Sequence, residues 1–213
     1  MNDVAHKRKI PAGLPLRRRR AEVRAERQRG RILDAAEQCF IDSGFDAASV
    51  MQIAVTAGMS PGLIYRYFDS KGAIVKAIIA RHLKTEGADV DGVDSPEEAC
   101  RRLIDLYERW RRGDDPKMNA ALCLELTAAS SRDPQIGQAV RDRDQEIGQA
   151  VTQMMRRAAA RRGVQLSAAA ARSRAVILQC LVEGLASRAV REPTLTGGAL
   201  KPALEAVITV LMG

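Results

Sequence analysis

The sequence predicts an all-α fold of about nine helices arranged in two domains. Apolar residues recur at three- and four-residue spacing along most of the 213 residues, the period of a helix with one buried face. Serines stand directly before several of these runs, at Ser49, Ser60, Ser70 and Ser95, where a side-chain oxygen can accept a first-turn amide. No stretch alternates apolar and polar residues as a half-buried strand does.

The first helix spans about 23–43, with Ile32, Ala35, Ala36, Cys39 and Phe40 on one face and Gly44 as its stop. Ser49 with Gln52 three residues on forms a capping box and opens a short helix whose apolar face is Val50, Ile53, Ala54 and Ala57. Gly58 ends that helix, because the residue after a helix often needs positive φ. Ser60 is the next N-cap and Pro61 suits the first helical position. The third helix runs through Leu63, Ile64, Tyr65, Arg66 and Tyr67 to Phe68. Ser70 and Lys71 open a fourth, over about 71–85, carrying Ile74, Val75, Ile78 and Ile79. Helix, short turn and helix in this order form a helix-turn-helix, whose second helix enters the major groove of DNA.

The chemistry of the third helix fits that reading. Ile64 and Phe68 lie four apart and face inward, which leaves Tyr65, Arg66 and Tyr67 pointing largely elsewhere. Tyrosine hydroxyls and arginines are common partners of phosphates and base edges. Pro61 and Gly62 are small enough for close approach, and Ser49 and Lys71 sit at helix N-termini, which favour phosphate. Ser49, Gln52, Ser60, Pro61, Gly62, Leu63, Tyr65, Arg66, Tyr67 and Lys71 form the candidate DNA-contacting set, with Arg66 the leading base reader.

Gly44-Phe45-Asp46, Ser49-Val50, Ile53-Ala54, Ala57-Gly58, Ser60, Gly62, Tyr65-Arg66-Tyr67-Phe68 and Ser70-Lys71 together resemble the DNA-binding domain of TetR-family transcriptional regulators. The likeness covers roughly 26–86. It departs from the common pattern at Ala48, Pro61 and Leu63. The resemblance implies that Tyr65, Tyr67 and Lys71 touch phosphates.

Lys and Arg number 34 against 26 Asp and Glu, a net charge of +8, which suits an anionic partner. Residues 1–20 hold seven Lys or Arg and one Asp. Pro11, Gly13 and Pro15 interrupt any helix there, so this part reads as a flexible basic arm. The DNA-binding domain is assigned to 21–86. Residues 87–94 are acidic and contain glycines, and mark the boundary to a second domain over 95–213.

The second domain opens at Ser95-Pro96-Glu97-Glu98 with cap, proline and an acidic first turn, and its first helix carries Cys100, Leu103, Ile104, Tyr107 and Trp110. Further helices are expected over about 116–131, 134–162, 167–191 and 200–212. The seventh is striped by Ile136, Val140, Ile147, Val151, Met154 and Met155. The segments Leu122-Cys123-Leu124-Glu125-Leu126 and Val182-Glu183-Gly184-Leu185-Ala186-Ser187-Arg188 also resemble regulatory domains of the same family. That likeness implies a ligand cavity among the middle helices and a homodimer through the last two. Leu181, Gly184, Leu185, Arg188, Val207, Ile208 and Leu211 are the candidate interface residues. Tyr107, Trp110, Met118, Cys123, Met154 and Met155 are large or pliable enough to line an apolar cavity. Glu125, alone in an apolar run, is a candidate partner for a cationic ligand.

Other classes find little support. Only His6 and His82 are present, and no Gly-rich phosphate loop, nucleophile elbow or CxxC pair occurs, so no catalytic residues, metal or cofactor are assigned. Cys39, Cys100, Cys123 and Cys180 lie far apart in helical patterns and read as small buried thiols. No apolar run approaches membrane-spanning length and no secretion signal is read, so a cytoplasmic protein is expected. The expected partner is double-stranded DNA carrying a pseudo-palindromic operator, bound by a homodimer that a small-molecule effector releases. The alternatives are a DNA-binding dimer without a small ligand and, less favoured, an all-α carrier or enzyme.

Overall fold

In the computed structural model, residues 16–90, 92–113 and 119–213 are described, and they form nine helices: α1 (Leu16–Ala47), α2 (Val50–Ala57), α3 (Pro61–Tyr65), α4 (Lys71–Val90), α5 (Pro96–Arg112), α6 (Ala120–Ser130), α7 (Pro134–Arg161), α8 (Ala168–Arg191) and α9 (Gly197–Met212). No strand occurs among the described residues. No described helix is long and apolar enough to cross a membrane.

The local signals act as read. Ser49 accepts from the Gln52 amide while the Gln52 side chain accepts from the Ser49 amide, completing the capping box. Gly58 ends α2 in the left-handed conformation (φ 62°, ψ 42°), and Gly44 breaks α1 at φ 78°, a region that disfavours residues with a Cβ. Ser60 and Ser95 cap α3 and α5, each followed by proline.

Several boundaries move. Helix α1 begins at Leu16, so residues 16–20 of the expected flexible arm are helical, while 1–15 lie outside the described residues. The run from Leu16 to Arg29 is almost entirely good helix formers. Helix α3 stops at Tyr65 instead of Phe68, and the Tyr67 and Phe68 amides both reach back to the Ile64 carbonyl (2.9 and 3.0 Å) in a closing turn. Helix α4 continues through Gly87 to Val90, across the expected domain boundary. One helical glycine costs only about 1 kcal/mol, and Val90 packs against a buried cluster that includes Val93, Ala99 and Met154. Helix α9 starts earlier than expected, at Gly197, capped by Thr196.

Burial explains how the parts join. The core of the DNA-binding helices (Ile32, Phe40, Ile53, Ile64, Ile74, Ile78) is continuous with Leu122, Leu126 and Ala129 of α6 and Ile136 of α7. Helices α1 and α4 are further tied by a buried ionic group. Glu37, 2% exposed, faces Arg81 Nη2 at 2.5 Å and His82 Nε2 at 3.0 Å, and Arg81 Nη1 reaches Asp34 Oδ1 at 2.6 Å. Burial alone would lower the Arg81 pKa, but its bonds and charge pairing with Glu37 and Asp34 outweigh that and raise it. The more distant half is knit by Tyr107, fully buried, whose hydroxyl donates to the Leu195 carbonyl (2.9 Å). Next to it, Glu108 accepts from the Gly197 amide and from Arg111.

Removing one partner of a buried charge group strands the others. Glu37→Ala is expected to lower stability by about 3–5 kcal/mol, read as a fall in the urea midpoint. An unchanged midpoint would mean that Arg81 and His82 are adequately solvated without it.

Candidate nucleic-acid interface and ligand cavity

Ser49, Gly62, Tyr65 and Arg66 of the helix-turn-helix are exposed to solvent, Tyr65 by 53%. Nothing lies within 4 Å of where a Gly62 side chain would begin, so α3 can approach a groove closely. Pro61 and Leu63 are half-buried on the same helix, and Ser60 is held as its cap. Gln52 is exposed, yet its side-chain oxygen is engaged by the Ser49 amide (2.7 Å) and hydroxyl (3.0 Å).

Two expected phosphate partners also take part in holding the fold, Tyr67 through its backbone and Lys71 through its ammonium. Tyr67 is half-buried against the core, and its carbonyl accepts from Arg29 Nη1 at 2.9 Å. Lys71 Nζ donates to the carbonyls of Phe45 (2.7 Å), Ala48 (3.0 Å) and Asp46 (3.4 Å) and stands 4.2 Å from the centre of the Phe45 ring. Helices α1 and α4 end and begin here, and the carbonyls freed by the break at Gly44 attract the nearest ammonium more strongly than distant solvent does.

The spacing arguments do not single out two arginines of α1. Arg29 lies over the Phe68 ring at 4.3 Å, and Arg31 Nη2 donates to the Ala57 carbonyl at the end of α2 (2.7 Å). Both brace the motif from behind. Their one sequence signal is membership of the α1 charge run, which cannot tell a brace from a solvated face.

The second domain holds an apolar cavity of about 160 Å³. Val90 and Val93 form one side, Leu103, Leu106 and Trp110 of α5 another, and Ile147, Val151 and Met154 of α7 with Leu178 and Val182 of α8 the rest. Arg102, Arg143, Asp144, Gln179 and Glu183 also border it. Of the residues expected at a ligand, only Trp110 and Met154 line this space. Met118 lies outside the described residues. Tyr107 and Met155 are buried in the core, and Cys123 lies on α6, which contributes nothing to the cavity wall. Glu125 is also misplaced by the sequence argument. Its Oε2 accepts from the Phe45 amide at 3.1 Å and lies 3.4 Å from where a Gly44 Cβ would be. Glu125 therefore joins α6 to the α1–α2 corner.

The expected interface residues separate in the same way. Leu185 and Ile208 are buried within the chain's own core, Leu181 and Leu211 are half-buried against its clusters, and Arg188 pairs with Glu192 at 3.1 Å. Gly184 and Val207 face outward, where they join Val176, Ile177, Val190 and Val210, the last 75% exposed. Cys180 is exposed on the same helix, unlike the buried Cys39 and Cys100.

Residues 32–78 match the family model for bacterial regulatory proteins of the tetR family, and residues 96–212 match that for the C-terminal part of BetI-type transcriptional repressors. The chain is 29% identical over 140 residues to the HTH-type transcriptional regulator UidR of Escherichia coli K12, covering 63% of this chain and 68% of UidR. Its fold is similar to that of Salmonella enterica GusR (TM-score 0.73, 24% identity, 87% of this chain and 95% of that one). It is also similar to Bacillus subtilis FadR, solved in complex with stearoyl-CoA (TM-score 0.63, 16% identity, 84% and 96% covered). With an exposed helix-turn-helix on a helical body and both halves matched, this chain belongs to the TetR family of bacterial transcriptional regulators, DNA-binding proteins and not enzymes, and carries a BetI-type C-terminal domain.

Proposed function

We propose that this chain is a homodimeric repressor that a small molecule bound in the α5–α7–α8 cavity releases from a pseudo-palindromic operator. The observation that carries the reading is the course of α4. Lys71 at its first residue holds the α1–α2 corner beside the helix-turn-helix, and Val90 at its last residue borders the cavity. A helix of 20 residues is about 30 Å long and transmits a displacement at one end to the other. A ligand that prefers a different wall geometry then shifts the spacing between two recognition helices, with a coupling of about 1–3 kcal/mol. Repression is supported by the BetI-type repressor model that the C-terminal half matches, and a bound small molecule by the acyl-CoA complex of the structurally similar FadR.

The homodimer is supported by the outward apolar side chains of α8 and α9, namely Val176, Ile177, Val190, Val207 and Val210. Clusters of this kind on a charged protein mark an interaction surface. Gly184, with open space around its Cα, permits close approach of a partner helix there. Because these residues contribute little to the protomer core, Val210→Glu is expected to leave the helical content intact and convert the dimer to monomer in sedimentation equilibrium. A dimer that survives places the interface elsewhere.

At the DNA surface, Arg66→Ala is expected to relax discrimination at particular base pairs by about 1–3 kcal/mol, whereas Tyr65→Phe weakens binding to all sequences. A selected-site experiment on both variants checks this, and an unaltered operator preference for Arg66→Ala removes that residue from base reading. Lys71→Met tests the reassignment of the ammonium. As a brace it is expected to lower stability by about 2 kcal/mol while leaving the salt dependence of DNA binding unchanged. A phosphate contact would instead reduce the log–log salt slope by about one.

A further inference from the structure

Helix α1 extends well past the motif it supports. Arg29 and Arg31 hydrogen-bond to the helix-turn-helix, at the Tyr67 and Ala57 carbonyls. From Leu16 to Gln28 the same helix projects beyond them, for about 20 Å. Every described side chain from Arg20 to Arg27 except Ala25 is exposed, so packing does not hold this stretch. Its charges are nevertheless sorted. Arg20, Arg24, Arg27 and Arg31 recur at spacings of four, three and four and fall on one stripe about 60° wide. Glu22 and Glu26 stand on the opposite side of the helix. None of the three outer arginines has an acidic residue three or four positions away, where a helical ion pair would form. Each has another arginine there instead, an arrangement that weakens an isolated helix. Arg20, Arg24 and Arg27 also form no ion pair or hydrogen bond among the described residues. The stripe repels itself when alone and is balanced only against a polyanion.

We propose that the stripe of Arg20, Arg24 and Arg27 is a second DNA contact, lying on phosphates outside the base pairs that α3 reads. This rests on DNA binding by the helix-turn-helix; neither the effector nor the dimer enters it. The attachment of the stripe favours duplex DNA over other polyanions. Its inner end, Arg31, is fixed on the last carbonyl of α2, beside the turn that leads into α3. Arg29 holds α1 against the other end of α3, through the Tyr67 carbonyl and the Phe68 ring. With both sides of the motif attached, the direction of the extension is set when α3 enters its groove. Composition points the same way. A helix that lies on a membrane needs an apolar face, and here Val23 is the one large apolar side chain exposed between Arg20 and Arg31. Proteins that grip unpaired strands stack bases on aromatic rings, and no aromatic residue occurs in this stretch. The dimensions also suit a duplex. From Arg20 to Arg27 the helix advances about 10 Å, while each DNA strand carries a phosphate every ~3.4 Å along its axis. Such contacts carry no base preference; they add affinity, fix the register and lengthen the footprint.

The test is DNA binding by the full chain between about 50 and 200 mM NaCl, on a selected site with flanks of about one helical turn (~10 bp) and on the same site without flanks. The variants are Arg20→Gln, Arg24→Gln and Arg27→Gln together, and the same three positions changed to Lys. Glutamine matches arginine in helix propensity, and circular dichroism checks that α1 persists. On the flanked duplex the Gln variant is expected to lower the log–log salt slope by about three per bound chain and the low-salt affinity at least about tenfold, with base preference unchanged. The Lys variant keeps the wild-type slope, and without flanks wild type and Gln variant converge. If the triple change costs helix, Arg24→Gln alone is expected to remove about one from the slope. A slope untouched by Gln, a Lys variant that behaves like Gln, or an equal loss without flanks each overturn the proposal. An untouched slope with binding to phosphatidylglycerol vesicles that the Gln variant loses assigns the stripe to a lipid surface instead. A wild type with no preference for any selected site fails the reading of the helix-turn-helix, whereas the slope comparison, repeated on a mixed-sequence duplex, still decides this one.

Discussion

The arrangement turns on a single ammonium group. Where α1 breaks at Gly44, the chain must reverse into α2, and the carbonyls of Phe45, Asp46 and Ala48 lose their helical partners. Lys71 gathers all three and packs over Phe45. From the opposite side Glu125 takes the Phe45 amide, and Arg132 reaches Asp46 at 2.9 Å. The corner is thus clamped between α4 and α6. The orientation of the helix-turn-helix relative to the remaining body follows from where those two helices stand. Charge-assisted bonds are suited to this role because their strength depends steeply on geometry, so they define one arrangement more sharply than apolar contacts do.

Much of the fold was legible because it is written locally. Ser49 with Gln52, Gly58, Ser60 with Pro61, and Ser95 with Pro96 act within four residues of themselves, and each takes the role its position predicts. Boundaries set by packing were less legible. The glycine at 87 reads as a linker until Val90, three residues later, finds a buried cluster. Likewise Leu185 and Ile208 have the right spacing for an interface, but periodicity identifies a buried face without saying whether the same chain or a second copy covers it.

Sites assembled from distant segments were legible only in part. Trp110 and Met154 reach the cavity, whereas Tyr107, one turn before Trp110, is drawn to the Leu195 carbonyl. Nothing within α5 distinguishes these neighbours; the loop before α9 does, 88 residues away. Glu125 teaches the same lesson for charge. A carboxylate in an apolar run does require a partner, and the partner is a backbone amide 80 residues earlier. The charged rim contributed by Arg102, Arg143 and Glu183 gives no sequence signal, since on their own helices these residues are indistinguishable from a solvated face.

The apolar core that runs without interruption from Ile32 and Phe40 into Leu122, Leu126, Ala129 and Ile136 bears on modularity. A reader head and a sensor body are often imagined as interchangeable parts joined at a linker. Here the seam passes through a packed interior, and the corner that aims the reader is held by Glu125 and Arg132 of the body. A working hybrid with a foreign body must therefore import the inward face of α6 and the start of α7 together with the first four helices. In this molecule the unit of exchange is a surface of contact, and it does not coincide with any stretch of sequence that could be cut out in one piece.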